Sequence, residues 1–294
     1  IIIEADAEIK YLEFPKNKVE ELSREQIIDL LCKSGTFPYL RQRPYHCIAN
    51  PTDVPKAIFI SGFNTAPLAP DIDFLVHGKG EYFQTGINAL CKLTSGTVHL
   101  NLLQDNVNSK VLSNTKGVQF NYFKGKHPAG NIGIQMHHID PINKGEVAWF
   151  IHPQDVIIIG KLLKDGIYDA NKIVALTGSE VLNPKYYKII NGASIEKMVE
   201  KNTTEKELRF ISGNVLTGSK IEKNGHIGFY DDQISVIPEG KKHEFLGWST
   251  PGFHKFSTSR TYFSWLMPGK KYAINTNFHG GERAFVLTGL YEKV

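Results

Sequence analysis

Apolar side chains recur along most of this chain at two spacings, every three to four residues or in short unbroken runs, and the two alternate. In LSREQIIDLLCKSG (22–35), Ile27, Leu30 and Leu31 form one stripe, and Ser23 with Gln26 has the spacing of a capping box. A helix ending at Gly35 is predicted. AIFISGF (57–63) is an apolar run with the length of a buried strand. GEYFQTGINALCKLTSG (80–96) then carries Phe83, Ile87, Leu90 and Cys91 at helical spacing, and TVHLNLL (97–103) returns as a strand. Strand, helix, strand in that order predicts a parallel α/β sheet.

VQFNYF (118–123) alternates and reads as another strand. The stretch after it, YFKGKHPAGNIGIQMHHIDPINKG (122–145), places Ile132, Met136 and Ile139 at i, i+4 and i+7, a short helix from near Gly130 that Pro141 stops. VAWFI (147–151) is a strand, and PQDVIIIGKLLKDG (153–166) is a helix with Pro at its start and Gly at its end. From about Asn171 the texture changes. KIVALTGS, KYYKII, ASIEKMVE and LRFISG give strand, strand, helix, strand, the order of a small β-grasp unit. The remainder, from HIGFYDDQISVIPEG onward, is rich in Gly and aromatics with little helical periodicity, and is read as β structure packed against or completing that unit.

Composition narrows the function classes. A chain of 294 residues is long enough for about two domains. Its 34 Lys and Arg against 30 Asp and Glu leave +4, with no basic run of the kind that nucleic acid selects. No apolar run approaches the roughly 18–20 residues of a membrane helix. Three cysteines, far apart and never in C-x-x-C spacing, exclude a readable disulfide framework or zinc site and suit a reducing compartment. The first residues, IIIEADAEIKYLEF, read like a strand entered partway along, as in a piece of a longer protein.

Chemistry concentrates in a few places. A metal needs three or four converging ligands, whereas His137 and His138 are neighbours about 100° apart on a helix, so no metal site is expected. These histidines and His127 admit two readings, as partly exposed helix and turn residues or as proton-handling groups beside a quinone or flavin. In YLRQRPYH (39–46), Arg41 and Arg43 with Tyr39, Tyr45 and His46 suit an anionic or quinone-like ring, or equally inter-domain salt bridges. Arg260, Tyr262 and Trp265 in FSTSRTYFSW (256–265) have the composition of a partner interface. The turn after the first strand, NTAPLAPD (64–71), has no G-x-G-x-x-G, and neither a Walker loop nor a G-x-S-x-G elbow occurs.

RPYHCIANPTDVPKAIFISGFNTAPLAPD (43–71), HPAGNIGIQMHHIDP (127–141), QDVIIIGKL (154–162), VALTGSEVLNPKYYKIINGAS (174–194), ISGNVLTGS (211–219), FLGWSTPGFHKFSTSRTYFS (245–264) and GGERAFVLTGLYEKV (280–294) together resemble the A subunits of the sodium-translocating NADH:quinone oxidoreductases. That family is similar in turn to the C subunit of the Rnf complex and to the flavin subunit of respiratory complex I. The resemblance implies a remnant of an N-terminal β domain over residues 1–20, a Rossmann-like α/β domain over 21–170, a β-grasp (SLBB, ubiquitin-like) unit over 171–225 and a β-rich closing segment over 226–294. It also implies a peripheral subunit on the cytoplasmic side of the bacterial inner membrane, in a pump that oxidises NADH, reduces quinone and exports Na⁺.

Where the flavin-bearing relatives have a Gly-rich loop, this chain has SGTFPYLRQRPY (34–45), and where they have an acidic pair it has Asn64-Thr65-Ala66-Pro67. The resemblance therefore implies no FMN or NADH held by this chain, with FAD, FMN, riboflavin and an iron-sulfur centre in partner subunits. Quinone remains as a candidate ligand, with Arg41, Arg43, His127 and His138 as candidate contacts. Two rival readings stay open: a ligand-free assembly scaffold, and a free-standing flavin or NAD(P)H oxidoreductase, which would need the missing Gly-rich loop.

Overall fold

The structure is a computed structural model that describes residues 11–105, 109–204, 207–241, 244–255, 260, 262–272 and 275–276. The chain divides into two compact units, Ile1–Ile173 and Val174–Val294.

In the first unit the capping box forms: Ser23 Oγ accepts from the Gln26 N–H at 3.3 Å and Gln26 Oε1 from the Ser23 N–H at 2.8 Å, starting α1 (Arg24–Lys33). A 3₁₀ turn (Phe37–Tyr39) leads into a hairpin of two short strands, β1 (Arg41–Arg43) and β2 (Cys47–Ile48). Then follow β3 (Ala57–Ser61), α2 (Ile72–Val76), α3 (Gly80–Leu93), β4 (Thr97–Leu103), α4 (Lys110–Ser113), β5 (Gln119–Phe123), α5 (Ile132–Ile139), β6 (Ala148–Phe150) and α6 (Pro153–Asp165). The hairpin has no counterpart in the apolar pattern. RQR contains no apolar residue, and becomes a strand only because β6 offers it a partner.

The sheet order is β2-β1-β6-β3-β4-β5. β3 to β6 are mutually parallel, and β1 runs antiparallel to β6 along one side. The chain winds from β3 outward to β4 and β5, then returns to place β6 on the other side of β3. This reversal opens a crevice outside the carboxyl ends of β3 and β6, where sheets of this kind take ligands. Ile58, Ile60, Val98, Leu100 and Trp149 are buried on one face of the sheet. On the other face Met136 of α5 packs on Ala57, Phe59, Ala148 and Phe150. The residues from Glu13 to Asn17 run along the end of α6, with hydrogen bonds from Phe14 N to Gly166 O at 2.8 Å and from Asn17 N to Leu163 O at 3.0 Å.

In the second unit β7 (Asn171–Thr177), β8 (Lys185–Ile190), α7 (Glu196–Val199), β9 (Leu208–Ser212), β10 (Ser219–Ile221) and β11 (Gln233–Pro238) form a sheet of order β10-β9-β11-β7-β8. The last strand lies in the middle, parallel to β7 and antiparallel to β9, the β-grasp arrangement. α7 and the segment before it contribute Ile195, Met198 and Val199 to a core with Val174, Leu176, Ile234 and Val236. The sheet thus runs past residue 225, because its central strand is supplied last. Within the segment expected to be β-rich, β11 completes the β-grasp sheet. After Pro238 the described residues form 3₁₀ turns at Gly247–Ser249 and Phe263–Leu266, and the stretch 277–294 of that expectation lies outside the described residues. Pro251 and Pro268 interrupt any ladder there, and the Lys255 and Lys270 ammonium groups donate to the carbonyls of Gly247 (2.5 Å) and Phe253 (2.8 Å) instead.

α3 and α6 approach closely where Gly86 and Gly160 face each other's helix. A β-carbon on Gly160 would run into the Tyr82 carbonyl, and one on Gly86 into Val156. Gly160→Ala is therefore expected to destabilise the α/β unit by roughly 2–3 kcal/mol through overpacking, measured by urea denaturation. A wild-type midpoint in that variant would mean that the helices can separate freely.

Candidate functional site

The reversal in strand order puts a row of facing residues across the sheet. Arg41, Phe150, Phe59, His99 and Gln119 are successive register partners on β1, β6, β3, β4 and β5, so their side chains leave the same face. At the β1 end, the Arg41 guanidinium lies 4.6 Å from the centre of the Phe150 ring and that of Arg43 lies 5.7 Å from it. The hairpin folds His46 back onto the same ring, centroids 5.1 Å apart. It does so through two successive left-handed residues, Tyr45 (φ 74°) and His46 (φ 52°), a conformation costly for side chains of this size. Tyr45 is left standing in solvent, 88% exposed.

Arg41 Nη1 donates to His46 Nε2 at 2.8 Å, which requires a neutral ring with its proton on Nδ1. Burial against Phe150, with the Arg41 and Arg43 charges in second place, pushes the His46 pKa down to about 4. Arg43 makes no ion pair among the described residues, and its buried Nε has no hydrogen-bond partner. Burial lowers its pKa as well. Its guanidinium rests beside Gly133 in the first turn of α5, where a β-carbon would stand 3.7 Å from Cζ.

Further along the row the face is polar. His99 stacks on Phe59, ring centroids 4.6 Å apart, and burial lowers its pKa, partly opposed by Asp140. Asn121 Nδ2 lies 3.3 Å from His99 Nδ1 and donates to Asn101 Oδ1 at 2.9 Å, and Asn101 donates to Gln135 Oε1 at 2.7 Å. Gln135, fully buried, donates to Ser61 Oγ and to the Ala129 carbonyl. These bonds fasten α5 and the turn before it to the ends of β3 and β4.

The expected site residues separate. Arg41 and Arg43 come together over Phe150. His127 does not join a shared contact with them; its Nδ1 lies 3.2 Å from Thr65 Oγ1, which also accepts from the Gly130 N–H at 2.9 Å. Thr65 thus clasps the turn that starts α5. His138 is exposed in the last turn of α5, its ring 5.7 Å from that of His137. Helical spacing puts His137, four residues after Gly133, on the same side of α5 as that glycine. Among the described residues no three His, Cys, Asp or Glu side chains are placed to hold a metal ion.

Of the expected partner interface, Arg260 and Trp265 are exposed, but Tyr262 is only 2% exposed, packed beneath Gly252. It is a core residue of its lobe, and the interface reading does not extend to it. His46 was part of the basic aromatic cluster in the sequence, but Phe150 and the Asn101–Gln135 seam were not singled out by the pattern. The signals present were two polar residues at i, i+2 inside TVHLNLL and one glutamine on the apolar side of a short helix.

The stretch SGTFPYLRQRPY is filled. Phe37, Tyr39 and Leu40 are buried; Phe37 meets Trp149 edge to face at 6.0 Å, and the Tyr39 hydroxyl bonds that of Tyr168 at 3.0 Å.

Residues 22–168 match the family described as the NqrA second alpha/beta domain, and residues 173–223 match the NQRA C-terminal domain. The chain is 37% identical over 295 aligned residues to the A subunit of the Na(+)-translocating NADH-quinone reductase of Yersinia pestis bv. Antiqua (strain Angola), covering 100% of this chain and 66% of that protein. With the protein of the same name from Rhodopirellula baltica the identity is 38% over 275 residues, 93% of this chain and 60% of the relative. The chain therefore spans less than two thirds of the length of these relatives. Among solved structures, the NAD+-reducing [NiFe]-hydrogenase in the air-oxidized state aligns with a TM-score of 0.47 and 10% identity, over 75% of this chain and 50% of that one.

The geometry of His46 has a pH consequence. Its folded pKa lies below the unfolded value, so between those values the unfolded chain binds the extra proton. Stability from this residue is complete above the unfolded pKa, about 6.5, and is lost as pH falls towards the folded value. Ring resonances of His46 followed by NMR should show no titration between pH 5 and 8, and His46→Gln should remove that share of the acid sensitivity. Titration near pH 6.5 would show that the ring does not face the two guanidiniums.

Proposed function

This chain belongs to the NqrA family, the A subunits of the Na(+)-translocating NADH-quinone reductases, and from that premise we propose that it is a peripheral subunit of a Na⁺-pumping NADH:quinone reductase whose Arg41–Arg43 shelf receives the quinone ring. The observation that carries this reading is the half-buried Arg43. It is a cation with no acidic partner among the described residues, beside a second guanidinium, at the crevice where strand order reverses. A guanidinium donates to a quinone carbonyl oxygen and holds it more strongly as reduction places charge there, which favours the reduced form over the entering one. His46, neutral, adds an Nδ1–H without adding a third charge.

The chain itself holds neither flavin nor nicotinamide in this reading. Phe37, Tyr39 and Leu40 occupy the place of an open phosphate loop, and Thr65 replaces carboxylates with a clasp. FAD, FMN, riboflavin and the iron-sulfur centre then reside in partner subunits, and the chain sits on the cytoplasmic side of the membrane. Among the described residues no helix is long and apolar enough to cross a bilayer, in keeping with a peripheral position. A ligand-free scaffold is the second reading, and the engagement of Arg41 with His46 and Phe150 favours it.

Titration of the protein with a short-chain ubiquinone analogue, read by quenching or calorimetry, separates the two. Saturable binding that Arg43→Gln weakens about tenfold, the worth of one charge-assisted hydrogen bond, supports the shelf. No binding, alone or in the assembled complex, leaves the scaffold. The purified chain should also be colourless and give no heat with FMN or NADH; stoichiometric flavin absorbance would overturn the reading of the filled loop.

A further inference from the structure

The lobe after β11 has a composition unlike the rest of the chain. Residues 245–281 contain four Lys or Arg, no Asp or Glu, and two of the three tryptophans. Its described parts form one packed piece. Tyr262 is buried beneath Gly252, Phe263 N donates to Pro251 O at 2.9 Å, Ser264 Oγ donates to the Lys255 carbonyl, and the rings of Phe253 and Phe263 meet at 5.9 Å. Lys255 is used internally, paired with Glu244 and bonded to the Gly247 carbonyl.

What this core leaves outside is apolar and aromatic. Phe245 is 92% exposed, and Phe253, Phe263, Trp265 and Leu266 are each about half exposed, at 48%, 53%, 48% and 58%. Arg260 and Lys271 are exposed in the same lobe, whereas Lys270 is engaged, its ammonium donating to the Phe253 carbonyl at 2.8 Å and lying 2.7 Å from His254 Nδ1. The Arg260 guanidinium sits 5.9 Å from the Trp265 ring centre, held there by a left-handed backbone (φ 58°). Flat rings with cations at their edges, and no carboxylate in the same stretch, match the headgroup level of a bilayer. There Trp anchors at the polar boundary and Lys and Arg meet anionic lipid. A protein partner fits less well, since the centres of such interfaces are depleted of lysine and pair charges of both signs.

We propose that the exposed rings of this lobe, Phe245, Phe253, Phe263 and Trp265, with the exposed cations Arg260 and Lys271, rest in the headgroup region of an anionic bilayer. The insertion is shallow, with rings at the boundary and cations over lipid phosphates, and adds a lipid contact to whatever protein contacts hold the subunit. The inference does not rest on quinone binding, and its test contains no quinone.

The test is flotation of the purified chain with vesicles of phosphatidylcholine alone or with 30% phosphatidylglycerol, about a third anionic lipid as on an acidic leaflet. Binding is expected to the anionic vesicles, to weaken in high salt, and to be slight on the neutral ones. The double variant Arg260→Glu with Lys271→Glu should lower the partition coefficient at least about fivefold for each cation removed. Trp265→Ser should lower it as well, and the emission difference between wild type and this variant should shift to the blue on binding. Unchanged melting temperatures of the variants establish that the fold survives. Equal binding to both vesicle types, or none to either, overturns the proposal. If vesicles do not bind and the same substitutions prevent assembly with the membrane subunits, the face is a protein interface instead.

Discussion

Everything at the candidate site follows from the reversal of strand order beside β3. Because the chain builds β4 and β5 on one side and returns to lay β6 on the other, the crevice over β3 and β6 has no connection crossing it. It also leaves β6 with a free side, which the short hairpin of β1 and β2 fills in antiparallel sense. Antiparallel pairing with Phe150 and Ala148 is what turns Arg41 and Arg43 to the same face, two residues apart, above one aromatic ring.

The covering helix is held at its start by polar contacts in addition to the packing of Ile132 on the apolar cluster. Gln135 is fully buried with both ends of its amide engaged, and such a network stabilises only when complete, since an unmatched buried amide costs about 1–3 kcal/mol. The helix is eight residues long, too short to be stable alone, so the seam and the Thr65 clasp decide where its first turn lies. That position brings Gly133 against the Arg43 guanidinium. The site is thus assembled by two loops and a strand edge fixed to a rigid sheet.

Bulky residues close the segment between α1 and β1. Phe37, Tyr39 and Leu40 fill space with buried apolar surface where a phosphate would require bare backbone N–H groups and closely approaching glycines. Arg43 remains there, half-buried and without an ion pair among the described residues. Each unit thereby carries its own feature: the α/β unit a cationic shelf, the second unit a basic aromatic lobe beyond its β-grasp sheet.

The long elements were legible because their cause is local. The Ser23–Gln26 cap, the Phe83–Ile87–Leu90 stripe, the run in AIFIS and the Pro–Gly bracket of α6 each state their own structure through spacing and backbone preference. Arg41 and Arg43 were readable as a basic aromatic cluster, but not their common ring, because Phe150 is over a hundred residues away and RQR has no strand pattern of its own. His46 had no signal for neutrality, since its pKa is set by neighbours that only the hairpin brings to it. Tyr262 and Trp265 are three residues apart and chemically alike, yet one is core and the other surface. Residue types and local periodicity determined the elements and the chemical inventory of this protein. The tertiary structure alone decided which side chains share an environment, because burial and charge proximity depend on distances that spacing along the chain does not carry.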